Sequence, residues 1–129
     1  MSETIRVLLV DDHAVMRAGF RMILEAERDI TVVGEAASGL QALTAASELR
    51  PDVICMDVQM PEMDGLEATR RIRSGEASLN RDTPVIALTA HAVVDVQDRC
   101  LEAGMNGFIT KPVRIEEIES RIAEVLSRS

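Results

Sequence analysis

Pro51-Asp52-Val53-Ile54-Cys55-Met56-Asp57-Val58-Gln59-Met60-Pro61-Glu62-Met63-Asp64-Gly65 carries the strongest fold signal in the chain. Val53 to Met56 is a short apolar run containing β-branched residues, the pattern of a strand buried on both faces. Asp57 sits where the run ends. Pro61 cannot continue a strand ladder and Asp64-Gly65 is a turn dipeptide, so the strand stops just beyond the carboxylate. A carboxylate at the carboxyl end of a buried parallel strand stands where open α/β sheets place their chemistry. The plainer role for Asp57 is to end the strand and cap the next helix.

Outward from this segment, the same unit repeats in both directions. Arg6 to Val10 is a first aliphatic strand, followed directly by Asp11 and Asp12. Met16, Phe20 and Ile23 at helical spacing, with Val15 and Leu24 widening the stripe, predict the first helix. Carboxylates suit a helix N-terminus, which accounts well for one of the two acids and less well for both. His13 reads as a residue of the first helical turn, not as a metal ligand. Thr31 to Glu35 is a weaker strand, and Ala36 to Gly39 a small-residue turn. A second helix marked by Leu40, Leu43, Ala46 and Ser47 ends at Arg50-Pro51.

Beyond Gly65, Leu66, Thr69 and Ile72 define a third helix, with Arg70, Arg71 and Arg73 read as its solvated face. Gly75 to Asp82 is a polar loop, and Val85 to Leu88 a fourth strand closed by Thr89 and Ala90. Val93, Val94, Val96, Leu101 and Ala103 fit a fourth helix capped by Gly104. Phe108 to Thr110 is a short fifth strand leading into Lys111-Pro112. Ile115, Ile118, Ile122, Val125 and Leu126 form the stripe of a last helix. Five strands alternating with five helices predict a doubly wound five-stranded parallel α/β sheet. Asp11, Asp12, Asp57, Thr89 and Lys111 then all follow strands, and so converge at one end of the sheet.

Composition bounds the rest. The 129 residues, 47% of them hydrophobic, suffice for one domain with a sizeable core. A net charge of −8 argues against direct nucleic-acid binding, because no basic face is available. No apolar run approaches the roughly 18 residues of a membrane span, and Met1 to Ile5 lacks signal-peptide character. Cys55 and Cys100 read as core thiols in a reducing, cytoplasmic setting.

The cluster itself implies a chemistry. At about 5 Å and an effective dielectric of 20, each carboxylate pair costs about 3 kcal/mol, so a proton or a cation must relieve it. An all-oxygen ligand set suits Mg²⁺ or Ca²⁺ over zinc, and no calcium-loop spacing is present. Lys111 is the only lysine among fourteen Lys and Arg residues, and its compact ammonium suits a single oxygen of an anion. With the Thr89 hydroxyl added, these groups form a phosphoryl-transfer site in which Asp57 is the candidate nucleophile.

Asp11-Asp12, Asp57 with Met60-Pro61 and Asp64-Gly65, Thr89-Ala90 and Lys111-Pro112 together resemble the receiver domain of two-component response regulators. The resemblance runs from about residue 5 to 127 and implies a single receiver domain with the flavodoxin-like strand order 2-1-3-4-5. It implies phosphorylation of Asp57 by a histidine kinase or a histidine phosphotransfer protein. It further implies Mg²⁺ held by Asp12, Asp57 and the backbone carbonyl of Gln59, with Asp11 acting through water. Thr89 and Lys111 would bind phosphoryl oxygens, the Lys111-Pro112 bond would be cis, and Phe108 would occupy a switch position beside Thr89. Such a protein catalyses its own phosphorylation and slow dephosphorylation and is not a turnover enzyme. Gln59 and His91 would border the path of the hydrolytic water.

Residues 6 to 39 resemble receivers that precede a DNA-binding helix-turn-helix, and residues 83 to 113 receivers attached to hybrid sensor kinases. With nothing after the last helix, no output domain is expected. The face built by 92 to 103, Phe108 and 115 to 126 is the expected surface for a downstream protein partner. Two alternatives use the same residues. A haloacid dehalogenase-type phosphatase needs a second acid two residues after its nucleophile, where this chain has Gln59. A non-phosphorylated scaffold of the same shape has no need of the full set of acids and the lysine.

Overall fold

The computed structural model describes residues 4–75, 82–90 and 94–127. In chain order the elements are β1 (Ile5–Val10), α1 (Ala14–Glu25), β2 (Ile30–Ala36), α2 (Gly39–Leu49) and β3 (Val53–Asp57). They continue with α3 (Gly65–Arg73), β4 (Val85–Thr89), α4 (Val94–Glu102), β5 (Gly107–Thr110) and α5 (Ile115–Ser127). Every strand pairing is parallel and the sheet order is β2-β1-β3-β4-β5. This is the expected doubly wound, flavodoxin-like sheet, with each strand one or two residues longer than its apolar run.

Two buried layers sandwich the sheet, because successive strand side chains point to opposite faces. Leu8, Val10, Ile54, Met56, Val85 and Ala87 face one way, against residues of α2 and α3 and the end of α4. Val7, Leu9, Val53, Cys55, Ile86, Leu88 and Ile109 face the other, against α1 and α5. Each buried Val, Leu, Ile or Met side chain among these contributes roughly 1.5–3 kcal/mol, and β3 is buried along its whole length. Cys55 and Cys100 are free and buried, and burial pushes the Cys55 thiol up to about 12.

Helix boundaries have identifiable causes. Ser38 caps α2 by accepting from the Gln41 N–H at 3.2 Å, and Asp64 caps α3 by accepting from the Glu67 N–H at 2.9 Å. Arg50 closes α2 at φ 48°, where Pro51 disfavours further helix. The Arg6 guanidinium donates to the Leu49 and Arg50 carbonyls left open there, at 2.7 and 2.6 Å. Gly104, at φ +101°, follows α4 as expected.

Three readings of helix faces need correction. In α1 the core is served by Phe20 and Leu24, whereas Val15 is 86% exposed and Met16 is also exposed. Apolar residues lie on two sides of this helix, so periodicity alone admits the wrong stripe. In α2 and α4, Leu40, Val94 and Leu101 likewise face water, and Ala42 and Cys100 take the buried positions. In α3, Arg73 is not part of a solvated face. It is half-buried and donates to the carbonyls of Gly104 and Thr83 at 3.0 and 2.7 Å and to Asn106 Oδ1 at 2.7 Å. The expected contribution of Val93, the polar loop between Gly75 and Asp82, and the face starting at Ala92 fall wholly or partly outside the described residues.

Candidate functional site

Parallel strands end together, and the topology does bring the singled-out residues to one rim. Asp11 follows β1, Asp57 ends β3, Thr89 ends β4 and Lys111 follows β5. Asp11, Asp57 and Thr89 are at most 5% exposed. Their backbones are fixed by neighbouring strands: Asp11 N–H donates to Ala36 O at 3.1 Å, and Lys111 N–H to Thr89 O at 2.7 Å. The Lys111-Pro112 peptide is cis.

Asp57 is held from behind by Gly65. The Gly65 N–H donates to Val58 O at 2.9 Å, and a Cβ on Gly65 would lie 2.4 Å from the Asp57 carbonyl oxygen. The Asp64-Gly65 pair is therefore more than a turn. Asp64 starts the helix, and the missing side chain of Gly65 lets α3 press against the residue that carries the carboxylate.

Neither Asp11 nor Asp12 caps α1. Its N-cap is His13, without a side-chain cap bond. Asp11 Oδ1 instead accepts the His13 N–H at 2.9 Å. The acids are thus available to one another and to Lys111, whose Nζ lies 3.2 Å from Asp11 Oδ2 and 3.3 Å from Asp57 Oδ2. Part of the expected repulsion is relieved by this internal cation, leaving the three carboxylates with a formal excess of negative charge. Burial pushes the Asp57 carboxyl above its ordinary value, Lys111 opposes it, the Asp11 carboxylate adds to it, and the Gln59 N–H at 3.2 Å from Asp57 Oδ1 opposes it again.

The donor set suits a hard divalent cation. Ligand atoms of Asp11, Asp12, His13 and Asp57 all lie within 4.8 Å of one another. Asp12 Oδ1 is shielded from solvent yet accepts no hydrogen bond. A buried carboxylate oxygen left in that state is costly, and a cation beside it removes the cost. His13, read from sequence as an ordinary helical residue, stands before the helix with its Nδ1 in the cluster. Its only sequence signal was adjacency to the two acids.

Beside this pocket, Val58, Gln59, Met60, Pro61, Asp64, Leu66, Thr89, Val96 and Arg99 line an open cleft of about 450 Å³. Gln59 is exposed, and His91 lies outside the described residues. Phe108 is half-buried on β5, packed against the α2–α3–α4 side of the core, with its ring centroid 5.8 Å from Arg121 Cζ.

With this fold and site in view, comparison with known proteins is direct. Residues 7–123 match the family model for the response regulator receiver domain. The chain is 42% identical over 123 residues to the response regulator UvrY of Escherichia coli, covering 95% of this chain and 55% of that protein. It is 39% identical over 113 residues to the transcriptional regulatory protein YdfI of Bacillus subtilis, covering 88% and 51%. Among solved structures, the receiver domain of the putative response regulator NarL from Mycobacterium tuberculosis superposes with a TM-score of 0.89 at 31% identity, covering 99% of this chain and all (100%) of that one. The receiver domain of the sensor histidine kinase PA1611 from Pseudomonas aeruginosa, with magnesium in its active-site cleft, gives 0.81 at 35% identity, covering 96% and 98%. The chain belongs to the response regulator receiver domain family. It spans about half the length of the curated relatives it matches.

Proposed function

We propose that the chain is a phosphoacceptor in a two-component system, with Asp57 taking a phosphoryl group from a histidine kinase or histidine phosphotransfer protein. The observation that carries this reading is the buried Asp57 carboxylate at the end of β3, contacted by the Lys111 ammonium and neighboured by an Asp12 oxygen that is shielded from solvent and accepts no hydrogen bond. An Asp57 carboxylate oxygen attacks phosphorus; the new O–P bond forms as the P–N bond to the donor imidazole breaks, and the released imidazole keeps the N–H proton. Positioning and charge neutralisation are the protein's contribution.

Asp12, Asp57 and the Gln59 carbonyl would hold Mg²⁺, with Asp11 acting through water. The ion would supply positive charge to the phosphoryl oxygens. Lys111 is close enough to both buried acids to follow charge as it moves onto the phosphoryl group, and Thr89 offers a hydroxyl at the same rim. On this reading the protein is not a turnover enzyme. The proposed setting is cytoplasmic; no described helix is long and apolar enough to cross a membrane. A protein partner on the α4–β5–α5 face would read the switch. The charge of −8 makes this domain itself a poor ligand for nucleic acid, although the name of YdfI marks transcriptional regulation for a longer relative.

The phosphatase alternative has no observation in its favour, since the residue two after Asp57 is Gln59. Incubation with a small phosphodonor, with and without Mg²⁺, read by intact mass, tests the proposal. One added phosphoryl group that needs the ion and is absent in Asp57→Asn is the expected result. Labelling that persists in Asp57→Asn, or on a histidine, overturns it.

A further inference from the structure

We infer that Arg17 is a positioning residue for the acid site: oriented by Glu35, its guanidinium fixes the Asp11–Asp12 peptide and with it the direction of the Asp12 carboxylate. The inference rests on the proposed reading of Asp12 and Asp57 as ligands of one cation. Asp12 stands in the short connection from Asp11 to His13, between β1 and α1. Nothing in a strand or a helix fixes a side chain there automatically, so the connection has to be held by contacts of its own.

Two contacts hold its first residue, and both trace back to the end of β2. The Asp11 N–H donates to Ala36 O at 3.1 Å. On the other side of the same residue, Arg17 Nη1 donates to Asp11 O at 2.6 Å, while Arg17 Nε donates to Glu35 Oε1 at 2.8 Å. Glu35 and Ala36 are consecutive on β2, in register with Leu9 and Val10 of β1. Arg21 donates to the second Glu35 oxygen, so the carboxylate that orients Arg17 is itself held.

The Asp11 carbonyl belongs to the peptide unit that ends at the Asp12 Cα. That unit is planar, so the direction of its oxygen and the direction in which the chain enters Asp12 are set together. Losing the guanidinium frees rotation about the Asp11 Cα–C bond, which swings the Asp12 backbone and its carboxylate as one. Ligand atoms of Asp11, Asp12 and Asp57 lie within 4.8 Å of one another. Like charges do not gather so closely unless the backbone imposes it. The Arg17 side chain is only 19% exposed and divides its donors between a carboxylate and a backbone carbonyl. Its planar fork presents both donors in fixed relative directions, which a lysine ammonium cannot do.

Calorimetric Mg²⁺ titration of the whole chain, with amide NMR of the metal-free chain, tests the inference on wild type, Arg17→Met, Arg17→Lys and Arg70→Met. Arg70 on α3 pairs with Glu67 at 3.4 Å and controls for loss of an exposed ion pair. Removing a positive charge beside the acids would, by Coulomb attraction alone, strengthen cation binding. Loss of positioning weakens it, so the sign separates the two effects. Arg17→Met is expected to weaken Mg²⁺ binding by about tenfold, the usual effect of removing a group that orients a metal ligand. The Asp12 amide signal should also move in the metal-free chain. Arg17→Lys keeps the charge and should reproduce most of both changes, and it carries the test if Arg17→Met fails to fold. In an Asp12→Ala background, Arg17→Met should add little further loss, because its effect runs through that carboxylate. Arg70→Met should match wild type. Unchanged or tighter Mg²⁺ binding in the Arg17 variants, an unmoved Asp12 signal, an equal loss in Arg70→Met, or losses that add fully to that of Asp12→Ala overturns the role of Arg17 and leaves the cation site standing. Absence of Mg²⁺ binding in wild type overturns the cation-site reading itself, and the inference with it.

Discussion

Gly65 leaves no room for a side chain against Asp57: a Cβ there would stand 2.4 Å from the Asp57 carbonyl oxygen and 3.1 Å from the Asp57 carbonyl carbon. The obstacle is backbone on a central strand, so neither side can yield cheaply. Gly65→Ala should therefore displace either α3 or the end of β3. We expect a loss of about 1–3 kcal/mol, the usual cost of overpacking, with reduced phosphoryl uptake by the molecules that remain folded. Urea unfolding together with intact-mass labelling measures both. A variant with unchanged stability and labelling would show that this contact does not position Asp57.

Asp57 also sets a pH-dependent stability. Burial raises its carboxyl above the ordinary 3.8, with Lys111 opposing. The folded state therefore holds the Asp57 proton more tightly than the unfolded state does. As pH rises from 3.8 through the raised folded value, the native protein loses stability on account of this group. Asparagine at 57 escapes that loss. Without divalent ions, Asp57→Asn should melt higher than wild type at about pH 7.5, with a gap that narrows towards about pH 4. Each 1 kcal/mol corresponds to roughly 3–5 °C for a domain of this size. Saturating Mg²⁺ should raise the wild-type melting temperature by mass action and close the gap. Scanning calorimetry that finds Asp57→Asn the less stable protein at neutral pH would contradict this account.

Asp11 and Asp12 should differ as metal ligands. Both Asp11 oxygens are engaged, one by the His13 N–H and one by Lys111, whereas Asp12 Oδ1 is shielded and accepts no hydrogen bond, with His13 Nδ1 3.1 Å away. Asp12→Ala should therefore weaken Mg²⁺ binding more than Asp11→Ala, by about tenfold or greater for loss of a direct ligand. Asp11→Ala should instead lower stability, since it strips Lys111 of one buried partner. Titrations that rank the two variants in the opposite order would exchange their roles.

How much of this was legible in the sequence depended on which kind of signal each residue carries. Strand ends were readable because a parallel strand buried on both faces is a continuous apolar run, and Asp57, Thr89 and Lys111 interrupt such runs. Their convergence follows from topology alone. Helix faces were less legible. Val15 and Met22 on α1 are large and apolar yet exposed, and no periodicity distinguishes them from Phe20 and Leu24. Arg73 was misread because charge predicts solvent exposure, whereas its carbonyl partners at Thr83 and Gly104 come from the distant β4 and α4 termini. Gly65 acts through an approach distance that only the folded backbone defines.

The same Arg73 yields a stability prediction. Its guanidinium joins the end of α3 to the segments before β4 and after α4, through three acceptors. Burial lowers its pKa, with the charge of Asp82 opposing. Arg73→Met keeps the aliphatic stem but removes three donated hydrogen bonds, although Asn106 Oδ1 keeps the Val85 N–H at 2.9 Å, and the expected cost is about 1–3 kcal/mol. Arg73→Lys should recover only part of this, because a single ammonium cannot reproduce the fork. Chemical denaturation of the two variants measures the difference, and equal recovery by lysine would show that charge alone matters there.

The last prediction concerns how a signal leaves the site. Phe108 is paired across β5 with Ala87 of β4, two residues before Thr89. Its ring is half-buried, in contact with the core on one side and 5.8 Å from Arg121 on the other. Gly107 permits this arrangement: the Arg121 stem passes 3.1 Å from where a Cβ on Gly107 would stand. Phenylalanine has no hydroxyl to hold its ring in water, so Arg121 is the outward attraction. A contact of this kind contributes about 0.5–1 kcal/mol at an exposed site, which is a two- to fivefold bias between ring positions. On the proposed reading, phosphorylation of Asp57 would introduce a new acceptor, and the Thr89 hydroxyl should move towards it to make a charge-assisted hydrogen bond. That motion should leave room beside Thr89, and the ring population should shift inward and away from Arg121. Ring-carbon NMR shifts of Phe108 with and without a phosphoryl mimic measure that shift, and Arg121→Ala should move the unphosphorylated spectrum part of the way towards the phosphorylated one. Unchanged ring shifts alongside clear changes at Thr89 would exclude Phe108 from the switch.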